Sequence, residues 1–209
     1  AVLCFPMNDR KAAIFGGAGQ LGVELVKVFS SHGFTVTGFT RAQVDITNAE
    51  AVESALAEVD PSVVVNAAAY NQVDIAEREP RNAFFVNALA VRNLAVASRQ
   101  IGAELVHFST DYVFDGTAGR PYTEEDPTHP LGAYAVSKLA GEYYARAYRD
   151  DALVIRTSGV FGPAGRHTAR GNFIELMLRL ASESRPIRVG EDHIASPTYA
   201  PLLAARTAD

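Results

Sequence analysis

A single cysteine, Cys4, excludes any disulfide within the 209 residues. It points to a reducing, cytoplasmic setting. No apolar run approaches the roughly 20 residues that a membrane-spanning helix needs, so no membrane partner is expected. An excess of positive charge is missing too. Lys and Arg number 19 against 24 Asp and Glu, a net charge of −5. That argues against nucleic acid as the main partner, because phosphate binding wants a basic surface. Residues 1–6 are apolar but too few for a secretory core, and no basic segment precedes them. Repeats and low-complexity tracts are absent. What is present is ordinary globular composition, 48% apolar and 21% charged, with length for one domain or slightly more.

Short apolar runs alternate with longer amphipathic stretches. Residues 11–15, 34–39, 62–66, 104–109 and 152–156 read as strands. Residues 21–32, 48–59, 80–101 and 132–149 have helical spacing, with Gly33, Asp60-Pro61 and Gly102 as stops. Strands alternating with helices imply right-handed crossovers and a parallel sheet covered on both faces. The fold class is therefore α/β, a Rossmann-like doubly wound sheet, with residues 1–161 as the NAD(P)-binding domain. The strands are nearly all apolar, as strands buried on both faces should be. After Thr157 the rhythm weakens. Residues 172–182 read as a helix, 187–189 as a short strand and 199–208 as the start of another helix. Residues 162–209 are expected to be a partial substrate-binding region. A helix opening so late has little left to pack against, so a further C-terminal segment is expected. The alternative is a short protein that docks this helix on its own sheet.

Between the first strand and the first helix lies Gly16-Gly17-Ala18-Gly19-Gln20-Leu21-Gly22. Missing side chains let a backbone turn tightly and approach a pyrophosphate, and the following helix aims free N–H groups at that anion. The second strand ends in Thr40-Arg41, with no Asp or Glu. A carboxylate there would favour NAD, whereas a guanidinium suits a 2′-phosphate, so NADP(H) is favoured and NAD(H) stays open. Asp45 and Ile46 follow, in reach of the adenosine. Arg41 as a plain solvated residue is the competing reading.

Tyr134 and Lys138 stand at i and i+4 on one helical face. A phenol has an unperturbed pKa of about 10, and a neighbouring ammonium favours the phenolate. A fall of roughly 3 units would need about 4 kcal/mol, to be supplied by Lys138 and a cationic oxidised nicotinamide together. The phenol would then serve as acid or base at a carbonyl oxygen. The pattern alone is weak. It gains weight from Ser109-Thr110-Asp111, just past the fourth strand, where open α/β sheets hold their ligands. Asn66-Ala67-Ala68-Ala69 ends the third strand at the same rim, with small residues where a cofactor needs room.

The stretches GGAGQLG, VDIT, VVVNAAAYNQVD, VNALAVRNLA, HFSTDYVFDG, YAVSKLAGE, VIRTS and DHIASPTYA together resemble the extended short-chain dehydrogenase/reductase family. Within it they are similar to the reductases of dTDP-4-dehydro-6-deoxysugars. The resemblance implies a catalytic triad of Thr110, Tyr134 and Lys138. It implies cofactor contacts from Gly16, Gly19, Gln20, Leu21, Gly22, Asp45, Ile46, Ala67, Ala68, Tyr70, Asn87 and Lys138. Asp111, Tyr134 and Ser158 would face the substrate. The reaction implied is hydride transfer from NADPH to the C4 ketone of a nucleotide-sugar, dTDP-4-dehydro-L-rhamnose giving dTDP-L-rhamnose, with Tyr134 protonating the new alkoxide. A homodimer is compatible with the resemblance.

Two departures stand out. Gly159 occupies the place where the family often has a tryptophan in the sugar pocket, and the chain ends where the family's substrate domain should continue. Six arginines (Arg156, Arg166, Arg170, Arg179, Arg185, Arg188) against Glu175 and Glu183 offer forks for a diphosphate. Asn172 and Phe173 are candidates for a hydrogen bond and an apolar wall to the substrate. His32, His107, His129, His167 and His193 show no metal-ligand spacing, so no metal is expected. His107 reads as a packed core residue, and Asp192 or His193 as a loop residue near substrate. The acids 124–126 read as a turn cap, and Tyr143, Tyr144 and Tyr148 as packing against the sheet. An epimerase or dehydratase of the same superfamily, NAD-dependent and recycling its nicotinamide, competes with the reductase. So does a non-catalytic NADP-binding regulatory subunit, which would be expected to lose Thr110, Tyr134 or Lys138.

Overall fold

The computed structural model describes residues 10–167, 171–188, 190 and 195–209. Cys4 and the 1–6 stretch, Arg170, Val189, Asp192 and His193 lie outside the described residues.

Five parallel strands form one sheet in the order β2-β1-β3-β4-β5. They are β1 (Lys11–Phe15), β2 (Thr35–Phe39), β3 (Val63–Asn66), β4 (Glu104–Thr110) and β5 (Leu153–Thr157). Helices α1 (Gln20–Ser31), α2 (Ala49–Val59), α5 (Ala90–Gln100) and α6 (Ala133–Tyr148) make the crossovers. Strand alternation splits the core into two layers. Phe15, Val64 and Leu105 pack with α2 and α5 on one face, around Leu56 and Leu94. Ile14, Val65 and Phe108 pack with α1 on the other, around Leu25 and Phe29. Each such side chain contributes roughly 1.5–3 kcal/mol by burial. The strand order reverses between β1 and β3, and the carboxyl ends there open the crevice that holds ligands in such sheets.

The local signals behave as the residue types require. Asn48 caps α2 by accepting from the Ala51 amide. Gly33, at φ +82°, ends α1 in the left-handed conformation that glycine takes without strain. Three elements depart from the sequence reading. Helix α3 (Val73–Arg78) is additional, being too short for a periodicity signal. The single helix expected over 80–101 is α4 (Pro80–Phe84), a π-helical turn (Phe85–Leu89) and α5. Asn87 sits in that π turn and bonds outside the helix, which a period of 3.6 cannot foretell. Ile187 and Arg188 are not in a strand. Instead β6 (Val160–Phe161) pairs in parallel with β7 (Thr198–Tyr199).

Between these two strands lies α7 (Phe173–Ser182), and α8 (Ala200–Ala208) follows β7. The late helix finds a partner after all: Ala204 of α8 is fully buried in the layer that α1 covers. Tyr143 is 64% exposed rather than packed on the sheet. Tyr148 packs beside α5, where its hydroxyl accepts from Arg92 Nε at 3.0 Å.

Candidate active site

The glycine loop is shaped by steric necessity. Gly16 has φ +81°, and a Cβ there would lie 2.7 Å from the Ala68 amide nitrogen. A Cβ on Gly17 would lie 2.9 Å from Gly38 Cα, and one on Gly22 would run into the Gly16 carbonyl. The amides of Gly16 and Gly17 both donate to the Phe39 carbonyl at 3.0 Å, which fastens the loop to the end of β2. No side chain caps α1 at Gly19, and its first turn, Gln20, Leu21 and Gly22, carries no acid. A cradle that any Cβ would fill, opening on an uncapped helix N-terminus, fits a dinucleotide diphosphate.

Around the cradle, the Ala67 and Ala68 backbone lies against Gly16. Arg41 is 82% exposed at the side chain, and its Nε donates to Asp45 Oδ2 at 3.1 Å. Burial pushes the Asp45 carboxyl up, but hydrogen bonds from the Thr47 amide and hydroxyl and from Arg41 outweigh it and hold the carboxyl below its ordinary range. Ile46 is a buried core residue whose carbonyl accepts from Asn93 at 3.1 Å. Asn87 is buried, with its oxygen accepting from the Tyr70 amide at 2.8 Å. Its nitrogen donates to the Tyr70 carbonyl and to Ser137 Oγ, each at 3.0 Å. With both of its amide N–H groups spent on protein partners, Asn87 places the Tyr70 loop against α6.

At the rim, β4 delivers Thr110 and α6 delivers Tyr134. The threonine lies near enough to the phenol to favour its charged form. Thr110 Oγ1 accepts from the Tyr112 amide at 3.2 Å and donates to Asp111 Oδ1 at 3.2 Å. Tyr112 meets Tyr134 edge-on, with ring centroids 5.8 Å apart. Helix α6 starts on a borrowed cap: Glu77 of α3 accepts the Ala133 amide at 2.6 Å.

The fall expected for the phenol draws on Lys138 and an oxidised nicotinamide together; the chain's own burial acts in the other direction. Burial pushes the Tyr134 phenol up to about 12, against a smaller lowering influence of the neighbouring Thr110. Lys138 is 3% exposed, and its Nζ donates to the Phe108 carbonyl at 2.6 Å. Burial brings this ammonium down to about 8, while the Glu142 carboxylate works the other way. The i, i+4 spacing puts the two side chains on one face, but the amine is claimed by a strand carbonyl. His107 is fully buried, and Asn66 Nδ2 lies 3.1 Å from its Nδ1. The amide donates there, so the ring proton sits on Nε2. Burial and the Lys138 charge keep the imidazole neutral, well below its ordinary pKa.

The substrate side is corrected at several points. Ser158 follows β5 at the rim, half-buried. Asn172 caps α7 by accepting from the Glu175 amide at 2.9 Å, and its Nδ2 donates to Gln20 Oε1 at 2.7 Å and to the Gly162 carbonyl at 3.3 Å. It is therefore a structural tie, not a free donor for substrate. Gln20 completes the tie by donating to the Val160 carbonyl at 2.7 Å. Of the arginine group, Arg156 is paired with Glu142, Arg166 with Glu175 and Arg185 with Glu183. Local acids thus take up charge that the sequence offered to a diphosphate. Reading the sequence missed the cluster of buried Ser109 and Glu142 with half-buried Arg156, although the four-residue step from Lys138 to Glu142 was there to see.

A doubly wound sheet with a glycine cradle at its switch point and Thr110, Tyr134 and Lys138 along its rim defines a nucleotide-binding protein of the extended short-chain dehydrogenase/reductase class. A family profile described as "RmlD substrate binding domain" matches residues 10–209, and the chain belongs to that family. It is 39% identical over 194 residues to the spore coat polysaccharide biosynthesis protein SpsK of Bacillus subtilis, covering 93% of this chain and 67% of that protein. It is 41% identical over 204 residues to the dTDP-4-dehydrorhamnose reductase of Streptomyces griseus, covering 97% and 66%. The crystal structure of dTDP-4-dehydrorhamnose reductase from Bacillus anthracis in complex with NADP superposes with a TM-score of 0.89 at 36% identity, over 95% of this chain and 69% of that one. The chain thus spans about two thirds of the length of these relatives.

Proposed function

We propose that this chain carries the reductive centre of a dTDP-4-dehydrorhamnose reductase, converting the C4 ketone of a dTDP-4-dehydro-6-deoxysugar to an alcohol at the expense of NADPH. The observation that carries the reading is the placing of Thr110, at the end of β4, and the Tyr134 phenol of α6 on one rim of the sheet that also bears the glycine cradle. The similarity to reductases of that name supports it. Gly16, Gly19, Leu21 and Gly22 would hold the diphosphate by backbone, with Ala67, Ala68 and Tyr70 lining the cleft. Arg41, whose guanidinium is open to solvent beyond its Nε bond, would meet a 2′-phosphate, with Asp45 holding it in place. A bound NADPH would supply the hydride.

The chain's own groups would do the rest. The Tyr134 phenol, still protonated at neutral pH in this structure, is charged with a proton and suited to the reduction direction. It would give that proton to the oxygen that becomes the alcohol, with Thr110 fixing the phenol's orientation. Lys138 would hold the nicotinamide ribose and bring positive charge to the rim once its amine leaves the Phe108 carbonyl. Residues 162–209 would contribute the near edge of the substrate side, with Asp111 and Ser158 facing the sugar, while α8 serves the Rossmann layer. A homodimer and a cytoplasmic location belong to this same reading.

Tyr134→Phe tests it. Turnover of NADPH with a dTDP-4-dehydro-6-deoxysugar should fall on the order of 10²-fold or more, while NADPH binding followed by fluorescence stays nearly unchanged. Undiminished turnover would remove Tyr134 as proton donor. Sugar conversion without net loss of NADPH would turn the reading to an epimerase or dehydratase. Tight NADPH binding with no turnover by the full-length protein would turn it to a regulatory subunit.

A further inference from the structure

Tyr134, Lys138 and Glu142 follow one another at four-residue steps on α6, so they share one helical face. All three are buried. Glu142 has no part in the proton or hydride chemistry proposed above, yet it is the best-connected side chain below the rim. Its Oε1 accepts the Ser109 hydroxyl at 2.5 Å and Arg156 Nε at 3.0 Å, and its Oε2 accepts Arg156 Nη2 at 2.7 Å. Ser109 and Arg156 are partners in the β4–β5 register, one residue before Thr110 and Thr157. One carboxylate therefore ties the ends of two strands to the helix that bears the tyrosine and the lysine. A carboxylate so deep is costly unless paired, and a merely structural tie could have used neutral groups.

We propose that Glu142 is a positioning residue of the reaction centre: fixed by Ser109 and Arg156, its carboxylate stands one helical turn from Lys138 and favours the ammonium there, while touching neither cofactor nor substrate. The kinetic part of this inference rests on the reductase reading; the electrostatic part does not. Glu142 is the acid that opposes the burial of Lys138. The other charged or titratable groups around α6 act differently. His107 from β4 is held neutral. Asp111 and Tyr112, after β4, bear on Tyr134. Arg156 from β5 spends its fork on Glu142. Glu77 from α3 caps the far N-terminus, and Arg92 from α5 lies over Tyr148.

The test uses the small number of lysines. Lys11, Lys27 and Lys138 are the only three in the chain, so a protein labelled with carbon-13 at the lysine ε position shows three resolvable titrations by NMR. In the parent, the Lys138 signal should titrate near pH 8. In Glu142→Gln its midpoint should fall by about one unit or more, with Lys11 and Lys27 unmoved. In Arg156→Gln, which frees the carboxylate's field from its nearest cation, the midpoint should rise. Glu142→Asp should restore most of the parent value. Opposite shifts from the two partners of one ion pair are not produced by loosened packing. If Glu142→Gln does not fold, the Arg156→Gln and Glu142→Asp titrations decide. An unmoved Lys138 midpoint, or shifts of one sign in both, overturns the proposal. In the NADPH assay a one-unit fall should make the loss in Glu142→Gln grow roughly fourfold between pH 6.5 and 8. A moved midpoint in a chain with no reductase activity would sink the functional reading and leave this inference standing.

Discussion

The glycine loop and helix α7 meet at Gln20, and they are built in different ways. The loop is held by exclusion. Its glycines touch backbone at Ala67, Ala68 and Gly38, and its amides are bonded to β2 at Phe39. Nothing in it can shift without moving the sheet. Helix α7 buries no residue. Phe173, Ile174, Leu176 and Leu178 are all exposed, Phe173 by 61%. Two amide side chains, Gln20 and Asn172, tie its start to the rest. The half of the site that would hold the cofactor is thus part of the scaffold. The half that would meet the sugar rests on a few hydrogen bonds. Regions of low burial open locally at small cost, and binding elements are often drawn from them.

Three substitutions would break or sharpen this contrast. The largest effect is expected at the rigid end. Gly16→Ala puts a Cβ 2.7 Å from backbone at a φ of +81°, which should cost on the order of 3 kcal/mol. Denaturant unfolding should show the loss, and NADPH titration should show affinity at least tenfold weaker. Unchanged affinity would mean that the loop yields, and the contrast with α7 would collapse.

Lys138→Met asks whether the rim between the two halves is as dry as it looks. In the folded chain the amine titrates at about 8, below its ordinary 10.5. The unfolded chain therefore binds more protons between those two values, and the parent's stability rises with pH across them. The methionine variant lacks that dependence. Its advantage below pH 8 is at most about 3 kcal/mol, reduced by the Phe108 carbonyl left without its partner. The advantage should shrink as pH rises from 8 toward 10.5. Urea midpoints at pH 7 and 9.5 check this; a difference that does not change with pH would put the amine in water.

Asn172→Ala is the mildest. It removes a helix cap and the tie to Gln20, about 1–2 kcal/mol of local stability. Hydrogen exchange should quicken in α7 while α1 stays protected. A change in KM alone, with α7 exchange unaltered, would return Asn172 to the substrate.

Most of the scaffold was legible because it depends on short range. Residues 11–15 and 62–66 are apolar on both faces, which only a covered parallel strand allows. Asn48, Gly33 and Asp60-Pro61 mark helix ends by local chemistry, and the glycine loop announces its own tight turn. The candidate rim was legible as a set of residue types and spacings, Thr110 after a strand and Tyr134 four residues before Lys138. The π turn was not, because a one-residue slip in a helix leaves the same apolar face. Nor was the fate of Asn172, since a helix cap and a ligand donor look alike in a chain of letters.

The alternation of strands and helices, the parallel sheet and the glycine turn were therefore determined by the sequence alone, through periodicity and backbone sterics; the order of the strands came from the structure. Where each polar group points was decided only by the tertiary structure. Lys138 turns to a carbonyl 30 residues away, Asn172 to a glutamine 152 residues away, and Glu142 to a serine 33 residues away. A buried polar group must find a partner, and which partner lies in reach is a property of the folded chain rather than of any segment of it.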